Sequence, residues 1–376
     1  MLLSLRSALS IIVLLGLVWA ATAAMAAAQE VQAGGGRLTP SRLRCEYRTD
    51  PLGVDVTSPR LSWIVESPGR GQKQTAYQVL VAGDPAALGR DQGDLWDSGR
   101  VNSDETTAIV YAGKPLRSHQ PCYWKVKVWD KDGQASAWSH TAQWSMGLLG
   151  PSDWGSSAWV GWDKPRPVDQ PQAPAEGKVK PARLVLPPPV YLRTRFRLEQ
   201  PVRRATLYAT ALGIFDVHLN GFRVGDEFFN PGWTDYTRRV YYRAFDVTSR
   251  VHAGDNALGA ILADGWYSGY VGFGKMRNHY GKKPRFRARL RLEMHDGATV
   301  DVVTGPDWKA ATGAIREADF LMGETYDARQ AMPGWDAPGF DDGRWDKVDL
   351  GAELQPVIQW HPGPAVRAFA ELKPRT

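Results

Sequence analysis

Residues 220–274 constrain the fold most strongly, because short runs rich in β-branched and aromatic residues alternate there with tight turns. The runs 240–245 and 257–263 are each bounded by clusters of Gly, Pro, Asn and Asp. Strands interrupted roughly every ten residues by such turn residues are typical of antiparallel sheets. The rest of the chain repeats the pattern and lacks long helical periodicities. The sequence therefore predicts an all-β protein.

Two domains are predicted within the 376 residues. Residues 43–147 hold about seven short strands, which predicts a fibronectin type III or immunoglobulin-like sandwich. In that domain, residues 123–128 alternate apolar and basic side chains, which predicts one buried and one solvated face. Residues 190–351 hold about seven or more strands joined by hairpin-like turns, which predicts a jelly-roll β-sandwich. Residues 148–189 are rich in Pro, Lys, Gln and Ala, and we interpret them as an extended Pro-rich joint.

The first 28 residues have the features of a secretory signal peptide. Arg6 precedes an apolar run, and three small residues, Ala26, Ala27 and Ala28, end the segment, so cleavage is expected before Gln29. A membrane anchor is the alternative, but the apolar run is short for a bilayer span. We expect an exported protein, periplasmic or extracellular, that is not membrane-bound after cleavage.

The net charge of +6 suits an anionic surface or an acidic polysaccharide, but it is too diffuse to indicate nucleic-acid binding. A local exception is the run Arg285, Arg287, Arg289 and Arg291, whose spacing places four guanidinium groups on one face of one strand. We interpret this face as solvated, with an anion-binding stripe as the alternative.

The two cysteines, Cys45 and Cys122, fall within the first predicted domain. An exported protein permits a disulfide between them, and two buried thiols are the alternative. The sequence leaves both open. The seven histidines are scattered singly, without the spacing of a zinc site.

Aromatic residues and polar side chains cluster at the turns of the second predicted domain. Indole and phenol rings beside carboxylates and amides suit a sugar, which stacks its C–H face and hydrogen-bonds its hydroxyls. The alternative is that these rings fill the sandwich core. The candidate carbohydrate-binding residues are Asn230, Trp233, Asp235, Tyr236, Asp264, Trp266 and Tyr267.

Several motifs occur together in this region: NPGWTDY at 230–236, YYRAFDVTS at 241–249, GDNALGAILADGWYSG at 254–269 and MGETYDAR at 322–329. In this order they resemble the N-terminal region of bacterial α-L-rhamnosidases of glycoside hydrolase family 78. The resemblance implies that the second domain is similar to a carbohydrate-binding jelly roll. It also implies that residues 352–376 begin the family's next β-domain.

The resemblance further implies a calcium ion, because a related module in part of the family binds L-rhamnose with help from calcium. Calcium takes carboxylate, amide and backbone oxygens as ligands. The candidate ligands are Asp264, Asn230, Glu324 and Asp327.

Three functions remain open at this point. The first is a non-catalytic N-terminal portion of an exported α-L-rhamnosidase that binds a rhamnose-containing glycan and docks a separately encoded catalytic α/α-barrel. The second is a stand-alone, lectin-like rhamnose-binding module. The third is a weak glycosidase, but no motif positions the pair of acids that inverting hydrolysis needs, so no catalytic residue is assigned.

Overall fold

The computed structural model describes residues 38–164, 186–272 and 276–374. The predicted signal peptide and much of the predicted joint lie outside these residues. No helix in the described ranges is long and apolar enough to cross a membrane. The described chain forms two compact units. The first comprises the described residues up to 51 together with 58–116 and 121–144, and the second comprises 52–57, 117–120 and the described residues from 145 onwards.

The first unit consists of two antiparallel sheets with the strand orders β1-β2-β5 and β4-β3-β6-β7. One short helix, α1 (Pro85–Gly89), follows β3. The strands are β1 (Thr39–Cys45), β2 (Arg60–Glu66), β3 (Ala76–Ala82), β4 (Trp96–Asp97), β5 (Ile109–Val110), β6 (Pro121–Trp129) and β7 (Ala142–Ser145).

Strand β6 shows how the alternating sequence shapes this unit. Trp124, Val126 and Val128 are fully buried on one face, as the alternation predicts. The opposite face is not simply solvated. Lys125 is buried there, and its Nζ donates to the Leu88 carbonyl oxygen of α1 at 2.7 Å. A local helix therefore covers part of the basic face, which the alternation could not indicate.

Cys45 on β1 and Cys122 on β6 are buried thiols. Burial raises the pKa of Cys122 to about 12. Burial and the neighbouring Glu46 carboxylate raise the pKa of the Cys45 thiol well above its usual range. Both side chains therefore stay protonated at neutral pH.

The second unit is a larger β-sandwich of two sheets. One sheet has the order β22-β8-β16-β10-β14-β23, with β17 also paired to β16, and the other has the order β12-β11-β15-β9-β18-β21. Its longer strands are β9 (Val190–Leu198), β10 (Val202–Leu212), β11 (Ile214–Leu219), β14 (Arg239–Asp246), β15 (Gly254–Ala263), β16 (Arg285–Met294) and β17 (Thr299–Val303). Its shorter strands are β8 (Val160–Gly161), β12 (Phe222–Arg223), β13 (Glu227–Phe228), β18 (Lys309–Ala311), β19 (Ile315–Asp319), β20 (Gly323–Tyr326), β21 (Asp346–Lys347), β22 (Asp349–Leu350), β23 (Val357–Trp360) and β24 (Val366–Arg367). A short helix, α2 (Gly265–Ser268), follows β15.

The core of this unit lies between the two sheets. Leu207 of β10 faces Leu290 of β16 in the antiparallel register, and both are fully buried. Leu258 of β15 and Phe215 of β11 reach the same core from the other sheet. The alternation of buried and outward residues along these strands follows the period of two that the sequence shows. The all-β prediction is confirmed.

Two segments join the second sandwich from outside residues 190–351. Val160 of β8 lies in the predicted joint, and it is fully buried beside β16. Strand β23, beyond residue 351, pairs in parallel with β14, and its Trp360 donates from Nε1 to the Leu52 carbonyl oxygen at 2.9 Å. Both segments contribute apolar side chains to the sandwich, which explains why they fold with it.

The arginine-rich face of β16 differs from its prediction. Arg285 and Arg289 are buried, because residues 150–163 cross over this face. Arg289 Nε donates to Asp301 Oδ1 on the adjacent β17 at 3.0 Å. The interpretation of this face as solvated is therefore wrong.

Candidate functional site

The strongest candidate for a binding surface is a cluster of four aromatic rings, Trp233, Trp266, Phe229 and Phe320, which we call the aromatic platform. Trp233 and Trp266 stack with their ring centroids 6.1 Å apart and their planes 4° from parallel. Phe229 and Phe320 contact Trp266 at centroid distances of 6.2 and 4.9 Å. Trp233 is 53% exposed, so a broad indole surface is open to solvent.

The loop that carries Trp233 is held by local hydrogen bonds. Thr234 Oγ1 donates to the Arg239 carbonyl oxygen at 2.6 Å. Asp235 Oδ1 accepts from the Thr237 N–H at 3.0 Å and from its hydroxyl at 2.5 Å, and these bonds lower the pKa of Asp235. Asp235 therefore fixes the turn behind Trp233, because its accepting oxygen is already engaged.

Tyr236 and Tyr267 are core residues. Both are fully buried, and their rings meet edge to face with centroids 5.5 Å apart. Their hydroxyls donate to the Gly232 carbonyl oxygen and to Glu353 Oε2, each at 3.3 Å. Burial raises the pKa of both phenols above their usual range. They support the loop from below and present no surface to a ligand.

Asp264 and Asn230 lie close in sequence to the platform residues Trp266 and Phe229 and are also buried. Asp264 forms an ion pair with Arg277, so its charge is compensated within the protein. The backbone oxygen of Asn230 accepts from the Phe215 N–H at 2.9 Å. Its side-chain Oδ1 has no hydrogen-bond partner among the described residues, which leaves one buried acceptor next to Phe229.

A cavity of about 320 Å³ opens beside the platform. Two of its carboxylates already have partners: Asp216 pairs with Arg223 at 2.7 Å, and Asp319 accepts from the Tyr270 N–H at 2.9 Å. Glu324 on β20 is exposed at the cavity and forms no ion pair with a described residue. The remaining walls are mostly apolar and include Ile214, Phe215, Phe228, Phe229, Ile261, Ile315 and Phe320.

Two of the four candidate calcium ligands are held by arginines. Asp264 is engaged by Arg277, and Asp327 is engaged by Arg329 through two bonds of 2.8 and 2.9 Å. The Arg329 guanidinium lowers the pKa of Asp327 to about 2. Within the described part of the chain, no three His, Cys, Asp or Glu side chains are arranged to hold a metal ion. Two of the four candidate ligands are thus committed to arginines, and the calcium site stays a prediction from the resemblance.

Comparison with known proteins accounts for this architecture. Residues 40–150 match the model of the Rha78A-like N-terminal immunoglobulin domain, and residues 200–369 match that of the α-L-rhamnosidase N-terminal domain. The chain belongs to the N-terminal region of the family 78 α-L-rhamnosidases. The resemblance seen in the motifs is confirmed. The first unit is the immunoglobulin-like domain, and the second is the rhamnosidase N-terminal β-sandwich.

Individual rhamnosidases show the same relationship. The α-L-rhamnosidase of Streptomyces avermitilis is 34% identical over 80% of this chain, and that of Alteromonas sp. strain LOR is 39% identical over 80%. These alignments span 43% and 31% of the two relatives. The structure of the enzyme from Dictyoglumus thermophilum superposes with a TM-score of 0.80 at 31% identity, covering 90% of this chain and 37% of that one. The structure of the Streptomyces avermitilis enzyme in complex with L-rhamnose superposes with a TM-score of 0.74 at 31% identity. This superposition covers 85% of this chain and 45% of that one.

Sequence reasoning found part of the platform and missed the rest. The clustering of aromatic residues at turns identified Trp233 and Trp266, which the structure brings together. It missed Phe229 and Phe320 as their neighbours. Phe229 directly precedes the Asn230-Pro231 turn, so the clustering of aromatic residues at turns could have identified it as well. Phe320 gives no such signal, because only the pairing of β19 with β20 places it beside Trp266.

Proposed function

We propose that the second unit of this rhamnosidase region binds a terminal L-rhamnose of a rhamnose-containing glycan, with Trp233 as the stacking surface. The observation that carries the proposal is the Trp233–Trp266 stack, in which a buried helix holds one indole against a second that faces solvent. We further propose that the rhamnosidase to which this region belongs is exported and acts on such glycans.

The chemistry of the sugar suits this surface. L-rhamnose carries an apolar C6 methyl group and an apolar ring face, while its hydroxyls need hydrogen-bond partners. The indole plane of Trp233 matches the apolar face, and Phe229 extends it towards the cavity. Glu324 offers carboxylate oxygens to sugar hydroxyls at the rim. One ring face and a few hydrogen bonds correspond to a binding free energy of about −4 to −8 kcal/mol.

The test is calorimetric titration of the full chain with L-rhamnose, compared with the Trp233→Ala variant. We expect affinity to fall by about tenfold or more, because removal of a stacking ring costs on the order of 1–2 kcal/mol. The melting temperature should hardly change, because Trp233 is more than half exposed. Phe222→Ala is the matched control, since Phe222 is an exposed ring on β12 that does not belong to the platform. The proposal would be refuted if the parent chain did not bind L-rhamnose, or if Trp233→Ala bound it with the same affinity as the parent chain.

A docking role is the second candidate, and the exposure of Phe228, Phe229 and Trp233 favours it. Contiguous exposed aromatic side chains are typical of surfaces that another protein covers. The partner would be the catalytic α/α-barrel of the rhamnosidase, encoded separately or in a longer chain. In that case Trp233→Ala would weaken association with the barrel and leave sugar affinity unchanged, which distinguishes the two roles.

A further inference from the structure

Arg287 stands apart from the other three arginines on the outward face of β16. Each of those three forms an ion pair with a carboxylate: Arg285 with Asp163 at 2.9 Å, Arg289 with Asp301 at 2.7 Å and Arg291 with Glu293 at 3.8 Å. Arg287 has no carboxylate partner among the described residues. One guanidinium of the stripe therefore forms no direct ion pair with a described carboxylate.

The guanidinium of Arg287 is nevertheless held in place. Its Nε donates to Ser157 Oγ at 2.9 Å, and its Cζ lies 5.0 Å from the centroid of the Trp154 ring. Arg287 lines a cavity, and its two terminal amino groups are not buried donors that lack a partner. These amino groups therefore reach open space. Burial without a counter-ion lowers the pKa of Arg287. The side chain is thus preorganised, with its donors directed away from the protein core.

The open space is a cavity of about 570 Å³ on the outer face of this sheet. That volume is in the range of small-molecule sites. Apolar side chains form much of its wall, including Leu148, Pro151, Trp154, Trp159, Pro356 and Ile358. The polar groups on the wall, besides Arg287, include Asp55, Gln355 and Gln359.

We propose that this cavity binds the carboxylate of a hexuronate unit in an acidic glycan, with Arg287 as the anchoring residue. The two terminal amino groups of a guanidinium match the two oxygens of a carboxylate, and such charge-assisted pairs are the strong ones. The apolar wall receives the C–H face of the sugar ring. Gln355 and Gln359 offer both donors and acceptors to its hydroxyls.

The same wall disfavours a doubly charged anion. Asp55 carries a negative charge at the cavity and accepts from the Trp360 N–H at 2.8 Å. Arg287 can pair with one negative charge of a ligand, but a second negative charge would find no positive partner and would be repelled by Asp55, because like charges repel in a partly buried site. Doubly charged free phosphate therefore fits less well than a carboxylate. This site is separate from the aromatic platform and does not depend on rhamnose binding there.

The experiment compares two matched sugars and two matched arginines. Titration of the full chain with sodium D-galacturonate should give binding, whereas D-galactose, which lacks the carboxylate, should bind at least about tenfold more weakly. Arg287→Gln should weaken galacturonate binding by about tenfold or more. Arg291→Gln, on the same strand face but outside the cavity, should leave it within about twofold of the parent.

Three results would overturn the proposal. The first is equal affinity for galacturonate and galactose. The second is unchanged galacturonate binding in Arg287→Gln, provided that its melting temperature shows a folded protein. The third is loss of galacturonate binding in Trp233→Ala but not in Arg287→Gln, which would place the acidic sugar on the platform. Failure of the rhamnose titration alone would refute only the rhamnose site.

Discussion

Replacement of His119 should remove much of the acid sensitivity of the second unit. The Nδ1 atom of His119 lies 3.0 Å from the Tyr208 hydroxyl, and the two rings meet edge to face. Burial lowers the pKa of His119 from 6.5 to about 4. The positive charges of Arg291 and Arg289 add to this decrease, and Asp153 and Asp301 oppose it.

The sign and size of the effect follow from proton linkage. Between pH 6.5 and about 4, the unfolded chain holds a proton on His119 that the folded chain does not. Stability is therefore fully present above pH 6.5 and is lost as the pH falls through this window. From about pH 7.5 to about pH 5, this single group should cost roughly 2 kcal/mol of unfolding free energy. The carboxylates with lowered pKa, such as Asp153, lose their contribution only at lower pH.

The assay is urea unfolding of the parent chain and His119→Asn across that pH range. Asparagine suits the position, because His119 has a left-handed backbone with φ of 65° and asparagine tolerates that region well. His119→Asn should have a lower free energy of unfolding at every pH. Between about pH 7.5 and about pH 5, however, its free energy of unfolding should fall by roughly 2 kcal/mol less than that of the parent chain. His295→Asn, which removes an exposed histidine, should keep the parent slope. Parallel slopes for the parent and His119→Asn would refute the reasoning.

Two further substitutions test packing in the second unit. Gly53→Ala should lower the unfolding free energy by about 1–3 kcal/mol in urea titration, because Gly53 has φ of 77° and an added Cβ would lie 2.6 Å from Ala244 Cβ. Gly221→Ala shares the positive φ but meets no atom within 4 Å, and an equal loss there would contradict the steric argument. Arg193→Met should cost about 3 kcal/mol, because Arg193 is fully buried and paired with Asp342. Asp342 also pairs with Lys309 at 2.7 Å, so Asp342→Asn should be destabilising by itself. The double variant should lose less than the sum of the two single losses, whereas simple addition would show that the residues are not coupled.

The fold was predictable because its signals are local. Strand β14 spans Arg239–Asp246 where the run 240–245 predicts it, and β15 spans Gly254–Ala263 where 257–263 predicts it. Each strand carries its own alternation, and each turn carries its own Gly, Asn or Asp. These features need no knowledge of distant contacts.

The face of β16 was not predictable for the opposite reason. Arginines at every second position of a strand give the same sequence pattern whether water or protein covers that face of the sheet. The cover comes from Ser157, which lies 130 positions from Arg287 in the chain. The candidate site shows the same limit. Trp233 and Tyr236 sit three positions apart in one turn, yet one is exposed and the other is fully buried. Only the packing of Tyr236 against Tyr267 decides between them.

The sandwich architecture explains why the two proposed sites can be separated by experiment. Inward side chains of both sheets are committed to one core, so a ligand must use an outer face or an edge. The cavity beside the platform is lined from β11 and β15, which belong to one sheet. The cavity of Arg287 is lined from β16 and β23, which belong to the other. No described residue lines both cavities. Because sites without shared partners contribute independently, each substitution reports on its own site.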